Sequence, residues 1–211
     1  MDSNLKFQKT QTLSLYEFIG RQHDQSQGYP ARFTEVLNKI KPLDFVKGPW
    51  LAGGSIRRLF DGTEGESDFD IFFANVDQLN AFRACLGTSK VLYENELNVT
   101  LEIDVDGSKP FKLQLIKFYF STPEAVLEWF DYTNCQFITD GNTLMVGQYT
   151  LYDIGRKHLR LNNIHHAMST VRRMLKYARQ GYTVCDGTIN DILRAVADKP
   201  AIINEQIRYI D

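Results

Sequence analysis

The chain has few cysteines and no long apolar run, and each shortage excludes a class of protein. Its three cysteines (Cys85, Cys135 and Cys185) lie far apart in 211 residues, without a Cys-x-x-Cys pair or a histidine at metal-ligand spacing. Neither a disulfide framework nor a zinc site is therefore indicated. No apolar run approaches the roughly 20 residues of a membrane helix, and the N-terminal segment lacks the pattern of a secretory signal. We expect a cytoplasmic protein that does not bind membranes.

The chain also lacks a strong excess of charge of one sign, but its charges are unevenly distributed. It has 24 Lys and Arg against 26 Asp and Glu, and 43% hydrophobic residues, which is typical of a globular protein with a substantial core. No acidic residue lies between Ile154 and Cys185. The cations of this basic segment are Arg156, Lys157, Arg160, Arg172, Arg173, Lys176 and Arg179.

The basic segment permits two interpretations. Arg172, Lys176 and Arg179 recur at i, i+4 and i+7, which predicts that they share one face of a helix. Such a face can hold a triphosphate or a polynucleotide backbone, so RNA or tRNA is a candidate partner of residues 156–179. Alternatively, it is a solvated helix face whose charge is balanced by acids elsewhere in the fold.

Hydrophobic patterns divide the chain into an α/β head (residues 1–150) with a small mixed sheet and an all-helical C-terminal part (residues 151–211). Strands are predicted at residues 68–73, from about Val91, and at residues 111–120, the last as a central strand. Helices are predicted over residues 31–40, after Ser55 as N-cap, after Asn75 as N-cap, from Thr122-Pro123 to Phe130, over residues 169–180 and 190–197, and from about Ala201.

Two features of the head indicate chemistry when they are taken together. Gly53 and Gly54 end a short apolar run and open a helix, where unpaired backbone N–H groups can approach a phosphate. Asp68 and Asp70 are alternate residues of a strand, so their carboxylates project to one face roughly 6–7 Å apart and repel unless a cation lies between them. A glycine turn, a short helix and then Asp-x-Asp would bring a triphosphate and a divalent ion together, as phosphoryl or nucleotidyl transfer requires.

The stretch LAGGSIRRLFDGTEGESDFDIFF resembles the head-domain signature of the DNA polymerase β-like nucleotidyltransferase superfamily. It is most similar to the class II branch of CCA-adding enzymes and bacterial poly(A) polymerases. A fainter similarity covers the stretch from Tyr149 to Val184, where Arg173 and Lys176 match the later part of the family's basic helix. The compact size also resembles stand-alone nucleotidyltransferase-like proteins of bacteriophages.

The resemblance implies a metal-dependent transfer of a nucleoside monophosphate from an NTP to a hydroxyl of RNA, a small molecule or a protein. It implies that Asp68 and Asp70 are catalytic and bind Mg²⁺ or Mn²⁺. The implied nucleotide-binding residues are Gly53, Gly54, Ser55, Arg57, Arg173 and Lys176. The alternative is an inactive relative that binds nucleotide or RNA or serves as an interaction subunit.

The chain departs from the family pattern in three places, of which the second and third support this alternative. Arg58 stands where the family has Asp. The family's Glu-Asp-x-x-Arg, which selects the incoming base, falls on His166, Ala167 and Thr170. Gln114 occupies the expected place of a third carboxylate.

Asp131, Glu102 and Asp104 are other candidates for the third carboxylate, although a helix-end role is the better interpretation of Asp131. For His165 and His166 we prefer a helix-start or polar role to metal binding, because adjacent residues point in different directions.

Overall fold

The computed structural model describes residues 10–22, 28–62, 68–87, 89–105 and 107–198. The helix expected from about Ala201 lies outside these ranges. Within them, no helix is long and apolar enough to cross a membrane.

A mixed sheet of eight strands forms the centre of the head. The strands are β1 (Gln11–Ser14), β2 (Trp50–Ala52), β3 (Phe69–Phe73), β4 (Lys90–Glu94), β5 (Asn98–Val105), β6 (Ser108–Tyr119), β7 (Phe137–Thr139) and β8 (Thr143–Val146). Their order is β1-β8-β7-β2-β3-β6-β5-β4, and only β3 and β6 pair in parallel. The mixed α/β class expected for the head is confirmed.

The two faces of the sheet are covered differently. Helices α1 (Leu15–Gln22), α2 (Gly28–Lys39), α3 (Gly54–Asp61) and α4 (Val76–Cys85) pack on one face and enclose the main core. On the other face, α5 (Pro123–Trp129) covers a smaller cluster around Trp50 and Phe72. The remainder of this second face carries the half-buried residues Asp70, Gln114 and Asn98, which alternate with buried neighbours along their strands. This alternation places the polar side chains on the partly open face of the sheet, while their buried neighbours face the main core.

Local signals explain several helix starts. The side chain of Asn75 accepts a hydrogen bond from the backbone N–H of Gln78 at 2.9 Å and caps α4. The Thr122 hydroxyl accepts one from the N–H of Ala125 at 3.2 Å and caps α5, with Pro123 in the first turn. The prediction that Ser55 caps α3 is wrong. Gly53 takes that position with φ +88°, a conformation that favours glycine, and Ser55 lies inside the helix.

The C-terminal part is mainly helical and packs back on the head. It contains α6 (Thr150–Gly155), α7 (Ala167–Arg179) and α8 (Asp186–Asp198), with a parallel pair of two-residue strands, β9 (His158–Leu159) and β10 (Thr183–Val184). A buried cluster of Tyr132, Leu159, Tyr177 and Tyr182 joins α7 to the head. The domain boundary predicted after residue 150 falls at the start of α6 and stays a prediction.

Candidate functional site

The two aspartates of the Asp-x-Asp motif lie at the start of β3, on the partly open face of the sheet. Asp68 immediately precedes the strand and Asp70 is its second residue. In the sheet register, Asp70 lies between Ala52 of β2 and Gln114 of β6. The motif is therefore at the middle of the sheet, beside the glycine turn that follows β2.

No cation of the described residues pairs with either carboxylate. Gln114 Nε2 donates a hydrogen bond to Asp68 Oδ2 at 2.8 Å, and neither aspartate forms a salt bridge within the described ranges. Removal from water and the nearby charge of Asp68 raise the pKa of Asp70 to about 7, although Arg173 and Lys176 oppose the shift. The site therefore has an uncompensated negative charge that a divalent cation would relieve.

The glycine turn brings backbone close to this pair. A Cβ built on Gly53 would lie 3.1 Å from the Phe130 ring and 3.7 Å from Asp70 Oδ2. At Gly54 the same test finds no heavy atom of the described residues within 4 Å, so the first turn of α3 has an open approach. The first N–H groups of a helix have no partner within it, which suits them to bind a phosphate.

The structure separates the predicted roles of Ser55 and Arg57. The Ser55 side chain is fully buried and Ser55 is not part of the cleft wall, so its hydroxyl does not face a ligand there. Arg57 is part of the wall but is 4% exposed, and it donates to Asp61 at 2.6 Å. Its guanidinium lies 4.9 Å from the Tyr177 ring centroid, and its Nε has no hydrogen-bond partner in the described ranges. Arg57 is thus a fixed charge in the cleft wall, and its Nε is a donor without a partner among the residues that the structure describes.

Helix α7 forms the wall opposite the sheet. Its cleft-lining residues are Ser169, Arg173, Lys176 and Tyr177, and Gln180 at its C-cap also lines the cleft. Arg172 and Arg179 are exposed and are not among the lining residues. The predicted face of three cations is therefore divided, because Lys176 turns toward the cleft and the other two turn away from it.

Asp131 serves a different purpose from a third metal ligand. It follows α5, is buried, and accepts hydrogen bonds from Thr170 Oγ1 at 3.1 Å and from Arg173 Nη1. The backbone carbonyl of Asp131 also accepts from the N–H groups of Asn162 and Asn163. Asp131 therefore anchors α7 to the head and positions Arg173, consistent with a helix-end role.

The other two candidates for a third carboxylate, Glu102 and Asp104, lie outside the cleft that contains the Asp-x-Asp motif. Glu102 forms a salt bridge with Lys90 at 3.2 Å on β4 and β5, and Asp104 is exposed farther along β5. Neither is part of the cleft wall, whereas Gln114 is. Gln114, whose neutral amide donates to Asp68, thus lines the cleft, and its equivalence to a third carboxylate stays a prediction.

The first half of the basic segment is largely neutralised by the fold. Arg160 Nε donates to Asp153 Oδ2 at 3.0 Å, and Lys157 Nζ lies 3.8 Å from Asp61 Oδ2. Arg156 lies over the ring of Tyr152, 5.2 Å from its centroid. Acids elsewhere in the chain thus balance this part, as the second interpretation predicted, while Arg173 and Lys176 line the cleft.

The positions of the family's base-selecting residues cannot perform that role here. Ala167 and Thr170 are fully buried, and the Thr170 hydroxyl is bonded to Asp131. His166 is at the N-cap position of α7 without a capping bond from its side chain, and His165 stacks on Trp129 with ring centroids 3.6 Å apart. Among the described residues, no group of three or more His, Cys, Asp or Glu could hold a metal ion.

Sequence reasoning missed the aromatic part of the cleft. Phe118 and Trp129 line it together with Asn98 and Ile116. Their signal was present, because Gln114, Ile116 and Phe118 are alternate residues of one predicted strand and so share a face. The position of Trp129 depends on the packing of α5 against this face and has no local signal.

These elements meet in one cleft of about 420 Å³ between the sheet and α7. It brings together Gly54, Arg57, Asp68, Asp70, Arg173 and Lys176 from the predicted set. Gly53 lies directly behind it, against Phe130 and Asp70. A second concavity of about 520 Å³ meets the cleft at Asp68 and is lined by Arg32, Arg58, Lys109 and Lys112 among others.

The donor set of the cleft fits a divalent ion that arrives with a phosphate ligand. Magnesium favours oxygen ligands and is commonly held by one or two carboxylates together with substrate phosphates and water. Asp68 and Asp70 supply two such carboxylates, and a bound cation would offset both the burial of Asp70 and its repulsion by Asp68, which together raise its pKa.

Comparison with solved structures shows the same fold in CCA-adding enzymes. A CCA-adding enzyme in complex with ATP matches with a TM-score of 0.60 at 15% identity, covering 90% of this chain and 47% of that chain. The Thermotoga maritima enzyme complexed with tRNA gives 0.56 at 14%, covering 89% and 46%. The Bacillus stearothermophilus enzyme in complex with CTP gives 0.53 at 18%, covering 74% and 41%. The chain thus spans less than half the length of these enzymes, and the likeness establishes a nucleotidyltransferase-like fold.

Sequence comparison assigns the family. A search of curated proteins found no match. The family model described as Gad2, Gabija anti-defense 2 family protein, matches residues 28–157, which include the glycine turn, the Asp-x-Asp motif and the whole sheet except β1. The chain therefore belongs to the Gabija anti-defense 2 family.

Proposed function

We propose that this protein is a metal-dependent nucleotidyltransferase that transfers a nucleoside monophosphate from an NTP to a hydroxyl group. One observation supports the proposal: Gly54 of the glycine turn, two carboxylates without a salt bridge among the described residues, and two cations of α7 line a single cleft in a fold shared with CCA-adding enzymes. Glycine turns, carboxylates and cations occur separately in many proteins. Their convergence matches what a Mg²⁺–triphosphate complex requires.

Each group then has a distinct task in the proposed reaction. Backbone N–H groups at Gly54 and Ser55 bind the β- and γ-phosphates, and Lys176 and Arg57 offset their charge. Asp68 and Asp70 would hold Mg²⁺ or Mn²⁺, which when bound would supply Lewis-acid stabilisation of charge on the α-phosphate and favour ionisation of the acceptor hydroxyl. The new bond joins the acceptor oxygen to the α-phosphorus, the bond to pyrophosphate breaks, and the hydroxyl proton passes to water. Asp131 fixes Arg173 at the cleft wall, where the guanidinium lies near the carboxylates.

The acceptor is the open part of the proposal. RNA is one candidate, since a related fold occurs in an enzyme complexed with tRNA, and a small molecule or protein hydroxyl remains a second. The name of the family suggests an acceptor within the defence system that the family counteracts. A phage source and a cytoplasmic location agree with such a role and belong to the same proposal.

A second candidate function is a nucleotide-binding protein without catalysis. Gln114 favours it, because a neutral amide at 2.8 Å from Asp68 cannot act as a metal-binding carboxylate or a base. This candidate predicts NTP binding without transfer.

Labelling and binding experiments separate the two candidates. The full chain is incubated with Mg²⁺ and each α-³²P-NTP in the presence of tRNA, a synthetic RNA with a free 3′ hydroxyl, or an extract of cells carrying the defence system. We expect labelling that falls at least about 100-fold in Asp68→Asn and Asp70→Asn. Asp104→Asn, a change at an exposed carboxylate outside the cleft, is the matched control.

The outcomes have separate meanings. Equal labelling by wild type and both variants contradicts the mechanism. NTP binding in calorimetry without labelling of any acceptor favours the binding protein. Absence of binding to all four NTPs contradicts both.

A further inference from the structure

The end of the cleft that lies away from the glycine turn is built of rings. Phe118 and Trp129 have centroids 5.0 Å apart, and Trp129 stacks on His165 at 3.6 Å. Together these three half-buried side chains form the aromatic end of the cleft, which spans from β6 to the residues before α7. Aromatic platforms of this kind bind nucleobases by stacking.

The distance of the aromatic end from the carboxylates suits the base of a bound nucleotide. Gln114 lies beside Asp70 in the sheet, and Ile116 and Phe118 follow it by two and four residues on the same face. At about 3.3 Å per residue they lie roughly 7 and 13 Å along the strand. A base is separated from its α-phosphate by one ribose, so its ring falls within this interval.

The direction from the reacting phosphorus to the aromatic end also favours the donor nucleotide over the acceptor as the ligand of this end. In a nucleotidyl transfer, the attacking and leaving oxygens lie roughly in line through the reacting phosphorus. The glycine turn follows β2, and the neighbouring strands are β3, β6 and β5 in that order. With the leaving diphosphate at the glycine turn, the line from it to the attacking hydroxyl runs across these strands. The nucleoside of the donor stays bonded to the phosphorus and extends from it in a different direction. Along β6, that direction leads to the aromatic end.

Among the described residues, those at the positions where the CCA-adding enzymes read the edge of a base do not offer equivalent groups. Thr170 is bonded to Asp131 and Ala167 is apolar, so neither replaces the missing Asp and Arg. In the described ranges, Asn98 Oδ1 is a buried oxygen of this part of the cleft that lacks a hydrogen-bond partner. One amide can accept one hydrogen bond from an exocyclic amino group, whereas a base-specific site requires several groups.

We infer that the aromatic end holds the nucleobase of the donor NTP by stacking, so that the protein binds all four NTPs with similar affinity. The inference rests on the proposed function, because it takes the phosphates to lie at the glycine turn. Stacking on Phe118 and Trp129 then supplies the binding free energy of the base. A hydrogen bond to Asn98 gives a modest preference for bases that carry an amino group.

Intrinsic fluorescence tests this inference without any variant. The chain has two tryptophans, and Trp50 is fully buried, so a ligand that stacks at the aromatic end quenches Trp129 alone. Titration with ATP, CTP, GTP and UTP in Mg²⁺, corrected for absorbance, is expected to give saturable quenching with dissociation constants within about tenfold of one another. Tripolyphosphate, which lacks a base, is expected to bind without quenching.

Calorimetry on variants gives the second measurement. Phe118→Ala and Trp129→Ala are expected to weaken NTP binding by roughly 5- to 150-fold and to leave tripolyphosphate binding unchanged. Tyr119→Ala removes an exposed ring adjacent to Phe118 in sequence and is the matched control. Thermal unfolding of each variant confirms that it is folded.

Failure of the inference differs from failure of the proposed function. If the wild type binds no NTP, the proposed function fails. If it binds NTPs but the quenching is absent, or the Ala variants bind as tightly as the wild type, the aromatic end is not the base site. Binding of only one of the four NTPs would contradict the inference that the protein binds all four with similar affinity. If the Ala variants raise only the KM for the acceptor, the aromatic end belongs to the acceptor.

Discussion

Two groups of aspartates near the cleft differ in one respect, which is whether the fold supplies a cation. Asp61, Asp131 and Asp153 are buried acids that accept hydrogen bonds from Arg57, Arg173 and Arg160, respectively. Asp68 and Asp70 form no salt bridge within the described ranges, and Asp68 accepts its hydrogen bond from the neutral amide of Gln114. The first group is satisfied by the chain itself, and the second is left with a charge that an external cation would neutralise.

This difference separates structural from functional carboxylates in a way that composition does not. Buried charges are tolerated when they are paired and hydrogen-bonded. An unpaired pair of carboxylates destabilises the fold, so its presence in a cleft indicates a role that requires it. We therefore expect removal of a carboxylate to have opposite effects on the stability of the fold in the two groups.

The largest expected effect on stability is in the paired group. Asp153 is fully buried and accepts from Thr133 Oγ1 at 2.7 Å as well as from Arg160. Asp153→Ala leaves these donors without a partner and is expected to lower the free energy of unfolding by about 2 to 3 kcal/mol. Urea unfolding measures this change, with Asp104→Ala as the exposed control. Equal losses in the two variants would remove the distinction between the groups.

A smaller effect, on the affinity for NTP, is expected from substitutions of the cations of α7, because some of them line the cleft and others do not. Lys176 lines the cleft and Arg172 does not. Lys176→Met is therefore expected to weaken NTP binding about tenfold, as the loss of one charge-assisted contact, and Arg172→Met is expected to leave it unchanged. Calorimetry with ATP and Mg²⁺ measures both. A loss of affinity in Arg172→Met as great as in Lys176→Met would show that the charge of the helix acts as a whole.

The smallest effect has the opposite sign and concerns the unpaired group. Folding raises the pKa of Asp70 from its ordinary value of 3.8 to about 7. Between these values the folded protein binds more protons than the unfolded chain, so its stability falls as pH rises through that window. A rise from 3.8 to about 7 corresponds to at most about 4 kcal/mol. Because Asp70 is only half-buried and water screens part of its charge, Asp70→Asn is expected to stabilise the metal-free protein by about 1 kcal/mol at pH 8, with no difference near pH 4. Thermal melts in EDTA across this range measure it, and destabilisation at pH 8 would contradict the account.

The sequence predicts the local features of the site and misses those that depend on distant residues. The Asp-x-Asp strand and the helix starts at Asn75 and Thr122 follow from neighbouring residues. The placement of Gln114 near Asp68, 46 positions away, followed from the family resemblance and not from a local signal. Strands β1, β7 and β8 are short, pair across long separations and were not predicted. The ion pair of Asp131 with Arg173 joins residues 42 positions apart and has no local signal. Ser55 was misjudged because a glycine with positive φ took the cap.

The central claim is that Asp68 and Asp70 hold the metal ion of an NTP complex, and diffraction tests it most directly. Crystals of the full chain are soaked with Mn²⁺ and a non-hydrolysable NTP analogue, and the anomalous signal of manganese is recorded. The account predicts an ion about 2.0 to 2.3 Å from carboxylate oxygens of both aspartates, with the triphosphate at the N–H groups of Gly54 and Ser55. A triphosphate in the concavity around Arg58 and Lys112, or no ion on Asp68 and Asp70, would contradict it.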